Sequence, residues 1–440
     1  MSFDRDAVRR FVFLDRALDR RSGEVRLRWR IEADERAVDF EESFLFEPPF
    51  VDGRPDSAAL EAALDLLHWV AGVSYWKLAC RGRLVFSDRQ PDAAQAGMLT
   101  ALYRDGLAEM AFRNGLSAPW WPEFPAGPDC EPAAAVGLRR RALVAIGGGK
   151  DSLVALERVR GSAQEFETAQ VGSAALIAAT VQEVSPRHRR IVRRLPPKLA
   201  ELNAAGALNG HVPITAINAA ALVVAAVLWD FDAVVFANER SADAPTLVSE
   251  TGQPINHQFA KSFGFEQAFG DWVQRAIAPD LEVFSLLRRD SELSICREFA
   301  GLDRYHARFS SCNRNFHLDG PRTVRWCLEC PKCLFVFLCL APFLDPQRMR
   351  RIFGEDLLAT TDRIDGFAAL LELDGHRPFE CVGEADEARA AVQLLAEHPA
   401  WKSHPAVQRL AADLAGRAPV DVARLLQASA RHRIPERFLS

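Results

Sequence analysis

Residues 143–152 read Leu-Val-Ala-Ile-Gly-Gly-Gly-Lys-Asp-Ser, and these types at this spacing suit the handling of a polyphosphate. An apolar run of strand length, Leu143 to Ile146, enters three consecutive glycines, and Leu153–Arg160 has helical character. A strand that turns through glycines into a helix start presents bare backbone N–H groups to an anion. In such a loop Gly147, Gly148, Gly149 and Ser152 hold phosphate oxygens and Lys150 adds a point charge. Asp151 is placed to hold a magnesium ion that bridges them. The Walker A loop, Gly-x4-Gly-Lys-[Ser/Thr], is excluded, because Asp151 follows the lysine and no glycine lies five residues before Gly149. A glycine-rich turn without a ligand is the weaker reading, since Gly-Gly-x-Asp-Ser after a buried strand is rarely accidental.

Four further constellations carry candidate chemistry. Asn209-Gly-His-Val-Pro-Ile-Thr precedes a strongly apolar segment, and Pro213 and Thr215 suit a helix start, which puts His211 near the loop edge of a sheet. The run Val235-Phe-Ala-Asn-Glu-Arg-Ser-Ala-Asp places Asn238, Glu239, Arg240 and Asp243 just beyond buried apolar residues. His257 and Lys261 are four apart, so a helix would put them on one face as an acid/base couple or a contact for an acidic substrate. Arginines at 187, 189, 190, 193, 194, 288 and 289 could grip a diphosphate, although such runs are more often solvated faces. Cys327-Leu-Glu-Cys330-Pro-Lys-Cys333 spaces three thiols as a zinc or iron–sulfur site does, with Cys312 as a fourth ligand. Zinc is favoured, because four-cysteine tetrahedra staple loops without redox control. Cys339 sits in an apolar run and reads as core.

The elements that must position these groups follow from periodicity. Residues 24–31 and 37–46 alternate as strands around a turn at 32–35, a helix is expected over Ser57–Ala71, a strand pair over Tyr75–Ser87, and helices from Ala93 to Asn114. Five prolines between 119 and 132 mark a linker. Beyond Arg139 the rhythm becomes strand–helix–strand, with Leu143–Ile146, Gly172–Val181 and Ala233–Ala237 expected as buried parallel strands. After Cys333 the chain reads as mostly helical. The expected organisation is an α+β domain at 1–135, an α/β parallel-sheet catalytic core at 136–345, and a helical region at 346–440. The first of these carries no motif with a chemical reading.

Composition narrows the function classes. A 440-residue chain with 49% hydrophobic and 26% charged residues is an ordinary globular protein able to bury a full core. A net charge of −5 disfavours a nucleic-acid binder working by bulk electrostatics. Met1–Arg21 has no sustained apolar core and is not a secretory signal. Ile214–Trp229 is shorter than the ~20 residues of a bilayer span and reads as a buried helix, so no membrane partner is expected. Nine cysteines, three of them tightly spaced, suit a reducing compartment, and the cytoplasm is the expected location. Oligomeric state is not legible.

Gly-Gly-x-Asp-Ser resembles the PP-loop of the ATP pyrophosphatases, usually Ser-Gly-Gly-x-Asp-Ser, with Gly147 in place of the first serine. Together with Asn209-Gly-His-Val-Pro-Ile-Thr-Ala, Asn238-Glu-Arg-Ser-Ala, Asn256-His-Gln and Ser311-Cys-Asn-Arg…Trp326-Cys-Leu-Glu-Cys-Pro-Lys-Cys, it resembles the ATP-dependent UDP-N-acetylmuramoyl-L-alanyl-L-glutamate epimerases of bacterial peptidoglycan synthesis. The cysteine-rich end is also similar to 7-cyano-7-deazaguanine synthase, a PP-loop enzyme that binds zinc through four cysteines but has its first cysteine nearer the others.

The resemblance implies an adenine nucleotide alpha hydrolase-like core, and ATP, Mg²⁺ and structural zinc as cofactors. It implies a UDP-muramoyl dipeptide as substrate. ATP would be held by Gly147–Ser152 with Asn238, Glu239 and Arg240, and the chemistry would be adenylation of glutamate followed by proton exchange at Cα. His211, His257, Lys261 and Cys312 are the candidate bases, His211 first, with Lys150 and Asp151 acting on the phosphates. The rival readings are another PP-loop adenylating enzyme (an amide, nitrile or thiolation synthase) and a nucleotide-sensing module without turnover.

Overall fold

The computed structural model describes residues 3–439 except 163, 183, 186, 251, 317–324 and 374. Strands β1 (Val8–Asp19), β2 (Glu24–Ala33) and β3 (Ala37–Phe46) form an antiparallel meander. Alternation puts Val25, Leu27, Trp29 and Ile31 on its buried face, while Arg30–Asp39 and Arg28–Asp15 pair on the other. β4 (Arg83–Phe86) adds parallel to β1. Then come β5 (Ala142–Ala145), β6 (Phe166–Val171), β7 (His188–Arg194), β8 (Ala233–Phe236), the short hairpin of β9 (Leu247–Val248) and β10 (Pro254–Ile255), and β11 (Glu282–Ser285).

One nine-stranded sheet has the order β11-β8-β5-β6-β7-β3-β2-β1-β4. From β11 to β7 it is parallel, and β3 pairs antiparallel with β7, so the meander continues the same sheet. The chain order reverses at β5, with β6 on one side and β8 on the other. At such a reversal the following connections cross to opposite faces and leave a crevice outside the strands' carboxyl ends.

Both faces of β5 are buried. Leu143 belongs to a core that contains the helices Ala58–Ala71 and Ile214–Trp229, which pack on each other. Ala142 and Val144 face a second core built with the helices Lys150–Gly161, Glu292–Ala300, Pro331–Leu340 and Ala385–Glu397. Ile214–Trp229 is a buried helix, as expected, and no described helix is long and apolar enough to cross a membrane. The architecture is mixed α/β around a large, mostly parallel sheet, with helices dominating after Cys333.

Three local expectations are corrected. Gly172–Val181 is not a strand: β6 ends at Val171, Gly172 breaks it at φ +108°, and the alanine-rich Ala175–Val181 is helical. The buried strand lies just upstream, where Thr168 and Gln170 interrupt the apolar pattern. Of Tyr75–Ser87 only Arg83–Phe86 is strand, and Val73–Trp76 forms a helical turn before it. β1 escaped notice because its buried Phe11, Val12 and Phe13 lie among charged residues that occupy the other face and the ends.

Candidate functional site

Gly147–Gly149 leave β5 at the reversal, and Lys150 begins the helix that follows. Gly148 has φ +78°, where a Cβ is strained. A Cβ on Gly149 would stand 2.9 Å from Ser311 Oγ, so a side chain there would press on the Ser311 hydroxyl. The Ser310 N–H donates to Gly148 O at 3.1 Å and the Ser152 hydroxyl to Gly149 O at 2.9 Å. Ser311 Oγ is buried beside the loop without a hydrogen-bond partner.

Lys150 is fully buried and its ammonium meets Asp151 and Glu292. Glu292 is buried at the start of its helix and accepts a second ammonium, Lys332 Nζ, at 3.0 Å. Burial opposes ionisation of Glu292, but Lys150 and Lys332 outweigh it and hold the carboxyl below its ordinary range. Glu239, buried beyond β8, is pushed up by burial and by Glu292, while Lys261 and Lys332 pull the other way. Asn238 lines a small apolar pocket with Thr215, Phe265 and Phe269. Arg240 donates instead to the carbonyls of Leu425 and Gln427, at 2.8 and 3.0 Å.

His211 and His257 come together with ring centroids 4.3 Å apart. The approach depends on Gly210, at φ +152°, where a Cβ would meet Met110 Cγ at 2.8 Å. Asn114 Nδ2 and Lys77 Nζ pin Asn209, each at 3.0 Å, against the same region. Glu109, on the helix Ala108–Arg113, pairs with His257 Nδ1. Burial would lower His257, but hydrogen bonds to Cys381 and Glu109 outweigh it and raise its pKa to about 9. Burial and the neighbouring His257 push His211 down to about 4, so it is neutral at pH 7. His257 and Lys261 do not share a helix face. His257 sits in a turn, Phe259–Lys261 is a 3-10 turn, and both cations lie near the Cys381 thiol instead.

The two groups of residues are one array. Lys332 faces Glu292, Lys150, Asp151 and Glu239, and Glu239 faces Lys261. Buried charge therefore runs from the glycine loop to the imidazoles. The arginine runs stay outside this array and act as braces: Arg189 with Glu167, Arg193 with Glu42, and Arg288 with Glu266 and the carbonyls of Glu239 and Lys261.

One sulfur from each of Cys312, Cys327, Cys330 and Cys333 lies within 4.8 Å of the others. Cys330 and Cys333 flank the first turn of Pro331–Leu340, where the helix N-terminus favours thiolates. Cys312 directly follows the Ser310–Ser311 pair that abuts the glycine loop, so the cluster fastens that pair in place. Four thiols at this separation are a donor set for tetrahedral zinc.

Sequence reasoning missed Glu109, Glu292, Lys332 and Cys381. Only Lys332 lay in a recognised motif, between Cys330 and Cys333. The others stand alone in unremarkable segments and are recruited by the fold.

Fold and site define an α/β protein with a glycine loop at a sheet reversal, joined by buried charge to a cluster of titratable side chains. The MurL N-terminal domain matches residues 2–286 and the MurL C-terminal domain residues 308–424, and the chain belongs to the MurL family. It is 44% identical to the UDP-N-acetyl-alpha-D-muramoyl-L-alanyl-L-glutamate epimerase of Xanthomonas oryzae pv. oryzae over 99% of this chain and 97% of that protein. The proteins of the same name from Salinispora tropica and Micromonospora sp. are 43% and 44% identical, each over 80% of this chain and over 77% and 79% of their own lengths. The array joins both matched domains, with Lys150, Glu239 and His257 from the first and Lys332 and Cys381 from the second.

Proposed function

We propose that this protein is an ATP- and magnesium-dependent epimerase that converts the terminal L-glutamate of UDP-N-acetylmuramoyl-L-alanyl-L-glutamate to D-glutamate, with release of AMP and pyrophosphate. The observation that carries this reading is the continuity of buried charge between the glycine loop and the imidazole cluster. It lets the glutamate carboxylate be activated and the proton on the adjacent carbon be exchanged within one site. The names of the relatives supply the substrate.

The loop suits a PP-loop role. Its backbone N–H groups lie at the start of a twelve-residue helix, a Cβ at Gly149 would crowd Ser311, and the Ser311 hydroxyl adjoins the loop without a partner. Gly147–Gly149 and Ser152 bind the phosphates, Lys150 offsets charge that develops on pyrophosphate, and Asp151 holds magnesium, which when bound shields the phosphate oxygens. The glutamate carboxylate attacks the α-phosphorus and expels pyrophosphate. An ionised carboxylate makes the adjacent α-proton poorly acidic, whereas the acyl-AMP removes that charge and delocalises the carbanion as an enolate. After proton exchange, water cleaves the acyl-AMP. The cysteine cluster holds a structural zinc, and the enzyme works in the cytoplasm, where thiols stay reduced.

Incubation with the UDP-muramoyl dipeptide, ATP and Mg²⁺, followed by chiral analysis of glutamate and nucleotide analysis, tests the reading. D-Glutamate with stoichiometric AMP is expected. ADP and phosphate as products would exclude adenylation.

A further inference from the structure

Proton exchange at Cα needs a base, and none of the groups singled out from the sequence is as well prepared as Cys381. We propose that the Cys381 thiolate removes the α-proton of the activated glutamyl residue, with His257 and Lys261 as its cationic partners. The inference rests on the epimerase reading given above.

The position of Cys381 is built rather than incidental. Arg377 donates to Gly383 O at 2.6 Å and to Pro245 O at 2.8 Å, which clamps the loop on either side of the cysteine. Gln258 Nε2 donates to Val382 O at 3.1 Å and ties that loop to the turn carrying His257. The same Gln258 side chain accepts from Lys261 Nζ at 3.2 Å, which brings that ammonium to the loop beside Cys381, where His257, Lys261 and Lys332 act on the thiol. Glu109 grips the far nitrogen of His257, while His211 and Glu239 complete the charged and titratable surroundings.

Chemistry selects this thiol from the others. Burial disfavours a thiolate at Cys381, but Lys261 and His257 outweigh it and bring its pKa to about 5. Burial pushes Cys80 and Cys296 up to about 12, so both stay protonated and inert. Cys381 is not fully buried, whereas Cys80 and Cys296 are. His211 shares His257 and Lys261 as neighbours, but these cations lower its basicity, whereas they hold Cys381 as an anion.

The step balances as follows. The thiolate sulfur takes the α-proton, and the C–H electron pair passes into the acyl carbonyl, giving an enolate beside Lys261 and Lys332. A water molecule protonates Cα on the opposite face. The hydroxide so formed takes the proton from the Cys381 thiol, which regenerates water and thiolate.

The test measures deuterium incorporation at Cα in D₂O together with AMP release for the wild type and for Cys381→Ala and Cys381→Ser, with thermal unfolding of each. Both variants should lose incorporation by about 100-fold or more while still releasing AMP as un-epimerised acyl-AMP hydrolyses. Incorporation within a few-fold of wild type in Cys381→Ala overturns the proposal. A wild type that releases no AMP refutes the epimerase reading itself. A second arm maps iodoacetamide labelling of the intact wild type at pH 6. Rapid alkylation of Cys381, slowed by His257→Gln and by the UDP-muramoyl dipeptide, is expected, and an unreactive Cys381 at that pH overturns the proposal even if the variants misfold.

Discussion

Glu292→Gln removes an anion that lies between two buried ammonium groups. The Lys150 and Lys332 amines both meet this carboxylate, and all three side chains are buried, so solvent cannot replace the lost charge. Removing one partner of a buried pair costs about 3–5 kcal/mol, because the surviving charge stays desolvated. Glutamine preserves volume, so cavity formation adds little. With a urea m-value of about 3 kcal/mol/M, the unfolding midpoint should fall by about 1–1.7 M at pH 7. The pH dependence has a definite sign. The folded carboxyl is held below its unfolded value of about 4.3, so its stabilisation is complete above that pH and is lost as pH falls below it. The gap between wild type and variant should therefore narrow on acidification. Equal midpoints at pH 7, or a gap that widens as pH falls, would refute the view that Glu292 is the ionised hub of the array.

Asp151→Asn should abolish ATP cleavage yet shift the urea midpoint little, because Lys150 keeps Glu292 and Asp151 is not fully buried; a large loss of stability with activity retained would contradict its role. Elemental analysis of protein purified without chelator should find about one zinc per chain, and Cys330→Ser should lose it. His257 is raised to about 9, so its pairing with Glu109 and Cys381 adds stability that is complete below about pH 6.5 and lost as pH rises through about 9. Urea titrations of wild type and His257→Gln should converge above that pH. His211→Ala should leave AMP release measurable and slow Cα exchange in at least one direction, and wild-type exchange both ways would remove His211 from the proton path.

What the sequence disclosed was local. Strand, glycines, lysine and aspartate are contiguous at 143–152, so one short window carried the whole glycine loop. The Cys327–Cys333 spacing was equally local, and Cys312 came within reach once the helix Pro331–Leu340 and the Ser310–Ser311 contact fixed both ends. The imidazole cluster was half legible. His211 and His257 lay in recognisable motifs, but their meeting depends on a close approach at Gly210 and on Glu109 from another helix. Glu292 and Cys381 had no pattern around them, because a buried charge is specified by partners distant in sequence: Lys332 and Lys150 lie 40 and 142 residues from Glu292. β6 was misplaced for a related reason: Thr168 and Gln170 bond to groups in neighbouring segments, so a buried strand looked polar.

The central claim is that activation at the glycine loop licenses proton exchange at the thiol and imidazole cluster. The most direct measurement is deuterium at Cα of glutamate after incubation of the UDP-muramoyl dipeptide with the protein in D₂O, with and without ATP. The account predicts label in the D-glutamyl product, AMP formed alongside, and no exchange when ATP is omitted. Exchange at the same rate without ATP, or D-glutamate formed without label, would contradict it.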